Sequence, residues 1–241
     1  IEACPGEGSC QGMYTANTMA CLTEAMGMSL PGMASALAGT ARKARLAELS
    51  GERIVGLARE GVTARQIVTK ASLENAIRVD LALGGSTNTT LHIPAIAHAA
   101  DVDVTLDDFD RLSSLTPQLA SMNPAGVNMM EDLDWAGGIQ ALLKHLEPLL
   151  NADALTVSGK KLGELLAQTQ PGDPAVIRPL NDPIRKEGGI VVLKGSLATE
   201  GAVVKSGAVT QDMLQFVGAA RVFESEDEAM AEPQPYVLNL A

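Results

Sequence analysis

The sequence changes character near Gln168, and this change limits the possible fold more than any other feature of the chain. Before it, apolar residues recur at helical spacing between glycine and proline breaks. After it, short apolar segments separated by turn residues are typical of strands. The segment Pro171-Gly172-Asp173-Pro174 has the composition of a linker. We therefore predict a helix-rich domain over residues 1–170 and the start of a β-rich domain over residues 183–241.

Capping residues predict where the helices begin. The first helix is expected from Thr15 to Met28, after a glycine-rich loop. Thr63 forms a possible capping box for a helix that runs to Leu83, and Thr105 forms one for a short helix. Other helices are predicted over residues 89–99, 139–150 and 160–167, and short strands at residues 102–104, 176–177, 190–193, 202–205 and 221–223.

The composition excludes several classes of partner. A formal net charge of −11 works against nucleic acid, because phosphate backbones are bound by clustered Lys and Arg. No apolar run approaches the length of a bilayer span, and the first residues lack the pattern of a signal peptide. We expect a cytoplasmic protein with no membrane partner. Because the sequence opens without Met inside a loop, we also expect an internal fragment of a longer chain.

The three cysteines, Cys4, Cys10 and Cys21, lie close together near the start of the chain. An odd number so crowded is a poor disulfide framework and fits a reducing compartment. Cys10 lies in a glycine-flanked loop before a helix whose first amides would favour a thiolate, so it is either a metal or cluster ligand or a small packed residue. Cys21 is expected in the core, and Cys4 has no CxxC spacing that would support a shared metal.

The segment Gly84-Gly85-Ser86-Thr87-Asn88 has two interpretations. Small residues at a helix start allow a ligand to approach backbone amides, which would make an anion cradle. The alternative is an ordinary turn between two helices, capped by these side chains. The segment lacks the lysine of a phosphate-binding P-loop and the preceding strand of a dinucleotide fingerprint, which argues against a nucleotide.

Other polar residues give weaker indications. The histidines His92, His98 and His145 fall on predicted helices without the HExxH spacing of a zinc site. Glu131 is a candidate ligand for a divalent cation, although a carboxylate before a helix commonly serves only the helix dipole.

Longer motifs carry a resemblance. The segments 10–19 (CQGMYTANTM) and 24–32 (EAMGMSLPG) resemble the central motif of the dihydroxy-acid and sugar-acid dehydratase family. The resemblance continues at Leu83-Gly84-Gly85-Ser86-Thr87-Asn88, at Met130-Glu131-Asp132-Leu133 and from Pro183 to Lys205, so that it spans almost the whole chain. Around Cys10 the sequence is more similar to the enzymes of branched-chain amino-acid synthesis than to phosphogluconate dehydratases.

The resemblance implies a fold and a cofactor. The fold would be α/β, with a truncated three-layer α/β/α domain followed by the start of a β-barrel-like domain and the active site between them. Members hold a 2Fe–2S or 4Fe–4S cluster with three cysteines, leave one iron open to substrate and bind Mg²⁺ nearby. By motif match Cys10 is the third of these cysteines. The other two, the magnesium ligands and the serine taken as catalytic base have no counterpart in this sequence.

The resemblance also implies an activity. A hydro-lyase of this family removes water from a 2,3-dihydroxy acid to give a 2-oxo acid, and the resemblance implies that it works as a homodimer. Ser86, Thr87 and Asn88 are the residues expected to hold polar groups of the substrate. Two alternatives stay open, namely a sugar-acid (aldonate) dehydratase and a non-catalytic fragment of such an enzyme.

Overall fold

The computed structural model describes residue 8, residues 10–219 and residues 221–231. Contacts between Cα atoms divide the chain into a compact unit, Ile1–Ala208, and a smaller unit, Val209–Ala241. The large unit contains nine α-helices among its described residues: α1 (Thr15–Ala25), α2 (Ala41–Glu60), α3 (Ala64–Ile67), α4 (Lys70–Leu83), α5 (Thr89–Ala99), α6 (Leu106–Ser113), α7 (Met130–Trp135), α8 (Gly138–Leu146) and α9 (Leu162–Leu166).

Helix α4 is the centre of the core. It packs against α1, α5 and α6, and most of its side chains are buried, as expected of a helix that is covered on nearly every side. Thr69 caps its start by accepting a hydrogen bond from the Ser72 amide, and Gly84 ends it in the left-handed conformation. Helix α8 packs against α1, α7 and α9 and extends the same core.

One antiparallel sheet follows these helices. Strand β1 (Val191–Leu193) pairs with β2 (Ala202–Val204), with Val192 opposite Val203. Strand β1 packs against α6. Among the described residues the architecture is thus mostly helical with a small two-stranded sheet, which agrees with the α/β class.

Some of the helices and strands predicted from the sequence are confirmed, and others are wrong. Helix α5 and the capping boxes at Thr63 and Thr105 are confirmed. The helix predicted to run from Thr63 to Leu83 is two helices, because the backbone is extended at Val68. Three strand predictions are wrong, at residues 102–104, 176–177 and 221–223, where the backbone forms neither helix nor strand.

The segment between the two predicted domains packs on the large unit. Residues 167–175 are mostly exposed, whereas Ile177 is fully buried and Arg178 donates its backbone N–H to the Leu119 carbonyl (2.8 Å). The domain boundary between 170 and 183 stays a prediction.

The small unit is described by itself. It contains α10 (Glu226–Ala231), and the Arg221 guanidinium lies 5.3 Å from the centre of the Phe223 ring. Across the described ranges, no helix combines the length and the apolar character that crossing a membrane requires.

Candidate functional site

The loop that carries Cys10 is fastened to the first turn of α1. Asn17, buried in that turn, donates its side-chain amide to the backbone carbonyls of Cys10 (2.6 Å) and Gly12 (2.7 Å). The Cys10 thiol is partly exposed, with Sγ 4.0 Å from Asn17 Nδ2 and 3.6 Å from the Gly12 oxygen. The sulfur therefore sits in a fixed loop, next to an amide donor and open to solvent on one side.

The Gly84–Asn88 loop lies against the same turn of α1. Thr15 connects the two segments, since its hydroxyl lies 3.1 Å from Ser86 Oγ and accepts a hydrogen bond from Asn88 Nδ2 (2.8 Å). The Ser86 amide donates to Thr18 Oγ1 (3.2 Å). The two segments singled out in the sequence, Cys10 and Ser86 to Asn88, thus share one anchor, the start of α1.

Most amides of this loop are not free as those of a cradle would be. Four of its amides are bonded within the chain: Gly84 and Gly85 to the Asp80 carbonyl, Ser86 to Thr18, and Asn88 to Ser86 Oγ (3.2 Å). The cradle prediction is wrong for these four, because the loop uses them to close on α4 and α1. The capping prediction is also wrong for Asn88, whose side chain caps nothing and reaches Thr15 instead.

A buried carboxyl group lies beneath this loop. Asp80 is 0% exposed, and its Oδ2 lies 2.5 Å from Thr89 Oγ1, while its Oδ1 has no hydrogen-bond partner among the described residues. A Cβ atom on Gly85 would come within 2.1 Å of Asp80 Oδ1, so only glycine lets the backbone pass so close to the carboxyl group. Burial raises the pKa of Asp80 to about 7.

The other end of α1 is closed. Cys21 is 0% exposed in the core, and burial together with the neighbouring carboxyl groups of Glu24 and Asp80 raises the pKa of its thiol. Glu24 is also buried, and its carboxyl group accepts hydrogen bonds from the amides of Gly32 and Ala34 and from Gln140 Nε2, each at 2.8 Å. Burial raises the pKa of Glu24, and these three donors oppose the rise.

Two of the remaining candidates adjoin this site through the backbone: His92 donates its amide to the Asn88 carbonyl (3.1 Å), and Glu131 follows Met130, whose amide donates to the Gln11 carbonyl (2.8 Å). His92, His98 and Glu131 are exposed, and His145 lies on α8 with a pKa lowered by burial. Cys4 falls outside the described residues. In the described part of the chain, no three His, Cys, Asp or Glu side chains come together as a metal site would require.

Two family models match this chain. The family model described as "Dihydroxy-acid/6-phosphogluconate dehydratase N-terminal" matches residues 1–165, and the corresponding C-terminal model matches residues 175–236. This chain belongs to the dihydroxy-acid/6-phosphogluconate dehydratase family.

Individual relatives agree with the family models. The chain is 59% identical over 230 residues to the dihydroxy-acid dehydratase of Geobacter metallireducens, 56% to that of Geotalea daltonii and 54% to that of Methanothrix thermoacetophila. Each alignment covers 95% of this chain but only 41–42% of the relative. The chain therefore spans about two fifths of the length of these dehydratases.

The family implies an iron–sulfur cluster, and the surroundings of Cys10 fit one of its ligands. A cluster ligand needs a thiolate, an open side towards the metal and polar groups near the sulfur. Cys10 has the open side and the Asn17 amide. The cysteine that shares the described residues with it, Cys21, has none of these, because it is enclosed by the core.

Sequence reasoning missed four residues of this site: Thr15, Asn17, Thr18 and Asp80. Thr15 and Thr18 lie one helical turn apart on α1 and bond to the Gly84–Asn88 loop, whereas Asn17 bonds to the Cys10 loop; the i,i+3 spacing of the two threonines is visible in the sequence. Asp80 also carries a visible indication, because a lone acidic residue interrupts the apolar pattern of Val79, Leu81 and Leu83. A buried acid in such a pattern is commonly functional.

Proposed function

We propose that this chain supplies part of the active site of a dihydroxy-acid dehydratase, which converts a 2,3-dihydroxy acid into a 2-oxo acid. The single observation that supports it is the common anchor of Cys10 and the Ser86–Asn88 loop on the first turn of α1. One segment would hold the cofactor and the other the substrate. A shared anchor keeps the distance between them constant, which a reaction at the cofactor requires.

Each residue has a role in this proposal. Cys10 is a ligand of the iron–sulfur cluster, and Thr87 and Asn88 hold polar groups of the substrate with Ser86. When bound, the cluster supplies a Lewis-acidic iron that takes up the hydroxyl leaving C3. Asn17 holds the Cys10 loop at the backbone. Loss of the C2 proton and the C3 hydroxyl gives an enol, which becomes the 2-oxo acid. Mg²⁺ belongs to the proposal through the family alone.

A substrate comparison tests the proposal. The complete gene product that contains this chain is reconstituted with iron and sulfide, and 2-oxo acid formation is measured with a branched 2,3-dihydroxy acid and with 6-phosphogluconate. We expect kcat/KM to favour the branched acid by about 100-fold or more, since the most similar relatives compared above are dihydroxy-acid dehydratases. Preference for phosphogluconate would move the assignment to the sugar-acid branch, and no turnover of either would support a non-catalytic role.

The architecture of the whole protein is part of the proposal. It comprises a three-layer α/β/α domain followed by a β-barrel-like domain, a homodimer, and a location in the cytoplasm. The domain boundary between 170 and 183 is supported by the exposed, proline-rich residues 167–175. Brief digestion with subtilisin should cut there first, and sedimentation should give twice the chain mass. First cleavage within α4 or α8 would contradict the boundary.

A further inference from the structure

Asp80 sits at the base of a short chain of hydrogen bonds. Thr89, the first residue of α5, places its Oγ1 2.5 Å from Asp80 Oδ2 and 2.8 Å from the Ser86 carbonyl oxygen. Ser86 in turn bonds to α1 through its amide and its hydroxyl. The carboxyl group is thus connected to the loop that would hold the substrate, although it is itself fully buried.

Counting protons along this chain favours the neutral state of the carboxyl group. A threonine hydroxyl has one proton to donate. The Ser86 carbonyl can only accept, so an ionised Asp80 would leave Thr89 Oγ1 between two acceptors with a single proton. If Asp80 is protonated, it donates to Thr89 Oγ1, and Thr89 donates to Ser86. Both short contacts are then hydrogen bonds.

The surroundings of Asp80 agree with the neutral form. An ionised carboxylate in the core needs several donors or a paired cation. Among the described residues, Asp80 Oδ1 has no hydrogen-bond partner and no ion pair reaches Asp80. The titratable groups that influence it are Lys205, which follows β2, and the Cys21 thiol on α1. Burial raises the pKa of Asp80 by more than the charge of Lys205 lowers it.

We propose that Asp80 is a positioning residue which is protonated in the working enzyme and, by donating to Thr89, holds the Ser86–Asn88 loop against α1. The role of the loop in substrate binding rests on the proposed function, whereas the protonation state does not. The pKa of about 7 that burial gives Asp80 supports the neutral form below neutrality. Above that pH the donor is lost and the loop loosens.

Infrared spectroscopy tests the protonation state directly. The difference spectrum between the complete wild-type protein and Asp80→Asn should contain the carbonyl stretch of one buried carboxylic acid at pH 6. This band should disappear as the pH rises through about 7. The matched control is Asp103→Asn, since Asp103 is an exposed aspartate, and its difference spectrum should contain no such band at pH 6. Absence of the band in the Asp80 pair at pH 6 would overturn the proposal.

Hydrogen exchange tests the positioning role without any catalysis. An asparagine amide at position 80 can donate to Thr89 as the protonated acid does, but it does not titrate. Protection factors of residues 84–90 should fall by about tenfold between pH 6 and pH 9 in the wild type and stay constant in Asp80→Asn. The KM for the dihydroxy acid should follow the same pattern, with kcat changed less. Equal loss of protection in both proteins would refute the role of Asp80. The expected exchange pattern in both proteins, combined with no turnover of the dihydroxy acid, would refute only the proposed function.

Discussion

The two ends of α1 contain similar residues in opposite environments. Each end has a cysteine, and each lies close to a buried carboxyl group. At the start of the helix, Cys10 is partly exposed beside an amide, and the Asp80 carboxyl group below the loop makes one side-chain hydrogen bond among the described residues, with Thr89. At the far end, Cys21 is enclosed, and Glu24 accepts three hydrogen bonds. The residue types alone do not distinguish a site from a core.

The difference lies in how the polar groups are satisfied. Glu24, on α1, accepts hydrogen bonds from two backbone amides and one side chain. Its carboxyl group thereby joins the loop at Gly32 and Ala34 to α1 and to Gln140 on α8. Such a group is satisfied by the protein itself and stabilises the fold. The groups at the start of α1 keep unused capacity, as the open sulfur and the exposed Asn88 side chain do. A binding site needs polar groups that are held in a fixed geometry and are still able to bond to a ligand.

Separate replacement of Cys10 and of Cys21 should give the largest difference in activity between the two ends of α1. In the complete gene product, Cys10→Ser should lower kcat/KM by about 1,000-fold or more, which is over about 4 kcal/mol, because a hydroxyl replaces the proposed thiolate ligand. Cys21→Ala should leave activity close to that of the wild type and cost about 1 kcal/mol of stability, because it removes only packing. Iron content and the visible absorbance of the cluster would be measured beside activity. A Cys10→Ser protein with full cluster content would break the comparison.

Removal of the Glu24 carboxyl group should have the next largest effect. Glu24→Ala leaves two amides and the Gln140 amide without their acceptor in a buried place. We expect a loss of about 3–5 kcal/mol in the free energy of unfolding, measured by urea denaturation. Glu24→Gln keeps one acceptor oxygen and should lose about half as much. A Glu24→Ala protein of normal stability would show that this end of the helix is less closed than its hydrogen bonds indicate.

The local fold could be predicted where the capping chemistry is explicit. Thr63 with Gln66 and Thr105 with Asp108 form the predicted boxes, and α5 has the predicted bounds. The 20-residue helix α2 was missed, since only Leu57 on it is buried and the apolar pattern is therefore weak. Its start at Thr40 and its end at Gly61 nevertheless have the residues that helix ends prefer.

The site could be predicted only in part for a different reason. Cys10 and the Gly84–Asn88 loop were found because both are short and rich in glycine, which makes them visible in the sequence. Their connection through Thr15 and Thr18 joins residues about 70 positions apart, which no local pattern encodes. The bonded amides of the loop could not be foreseen either, because Thr18, the acceptor for Ser86, comes from another helix.

The pH dependence of stability should sharpen the contrast between the two carboxyl groups. The folded pKa of Asp80, about 7, lies above the ordinary value of 3.8, so its contribution to stability is full below about pH 4 and is lost as the pH rises to about 7. Asp80→Asn should remove this slope, which amounts to about 2–4 kcal/mol. Urea denaturation at pH 5 and pH 8 measures it. Glu24→Gln serves as the comparison, and a smaller change of slope is expected there because three donors oppose the rise in its pKa.

Replacement of Asn88 should have the smallest effect of these changes, and it best separates substrate binding from stability. Asn88 is exposed, and within the described part of the chain its side chain bonds to Thr15 and its backbone to its own turn and helix. Asn88→Leu should therefore cost less than about 1 kcal/mol of stability. If the side chain also holds the substrate, KM should rise about tenfold, equivalent to about 1.4 kcal/mol, with cluster content unchanged.

Thr15→Val removes the same hydrogen bond from the α1 side and separates the two contributions. If Thr15→Val raises KM as much as Asn88→Leu, the hydrogen bond positions the loop and Asn88 makes no direct contact. If Asn88→Leu lowers the melting temperature while leaving KM unchanged, the start of α1 is as structural as its far end, and the contrast between them fails.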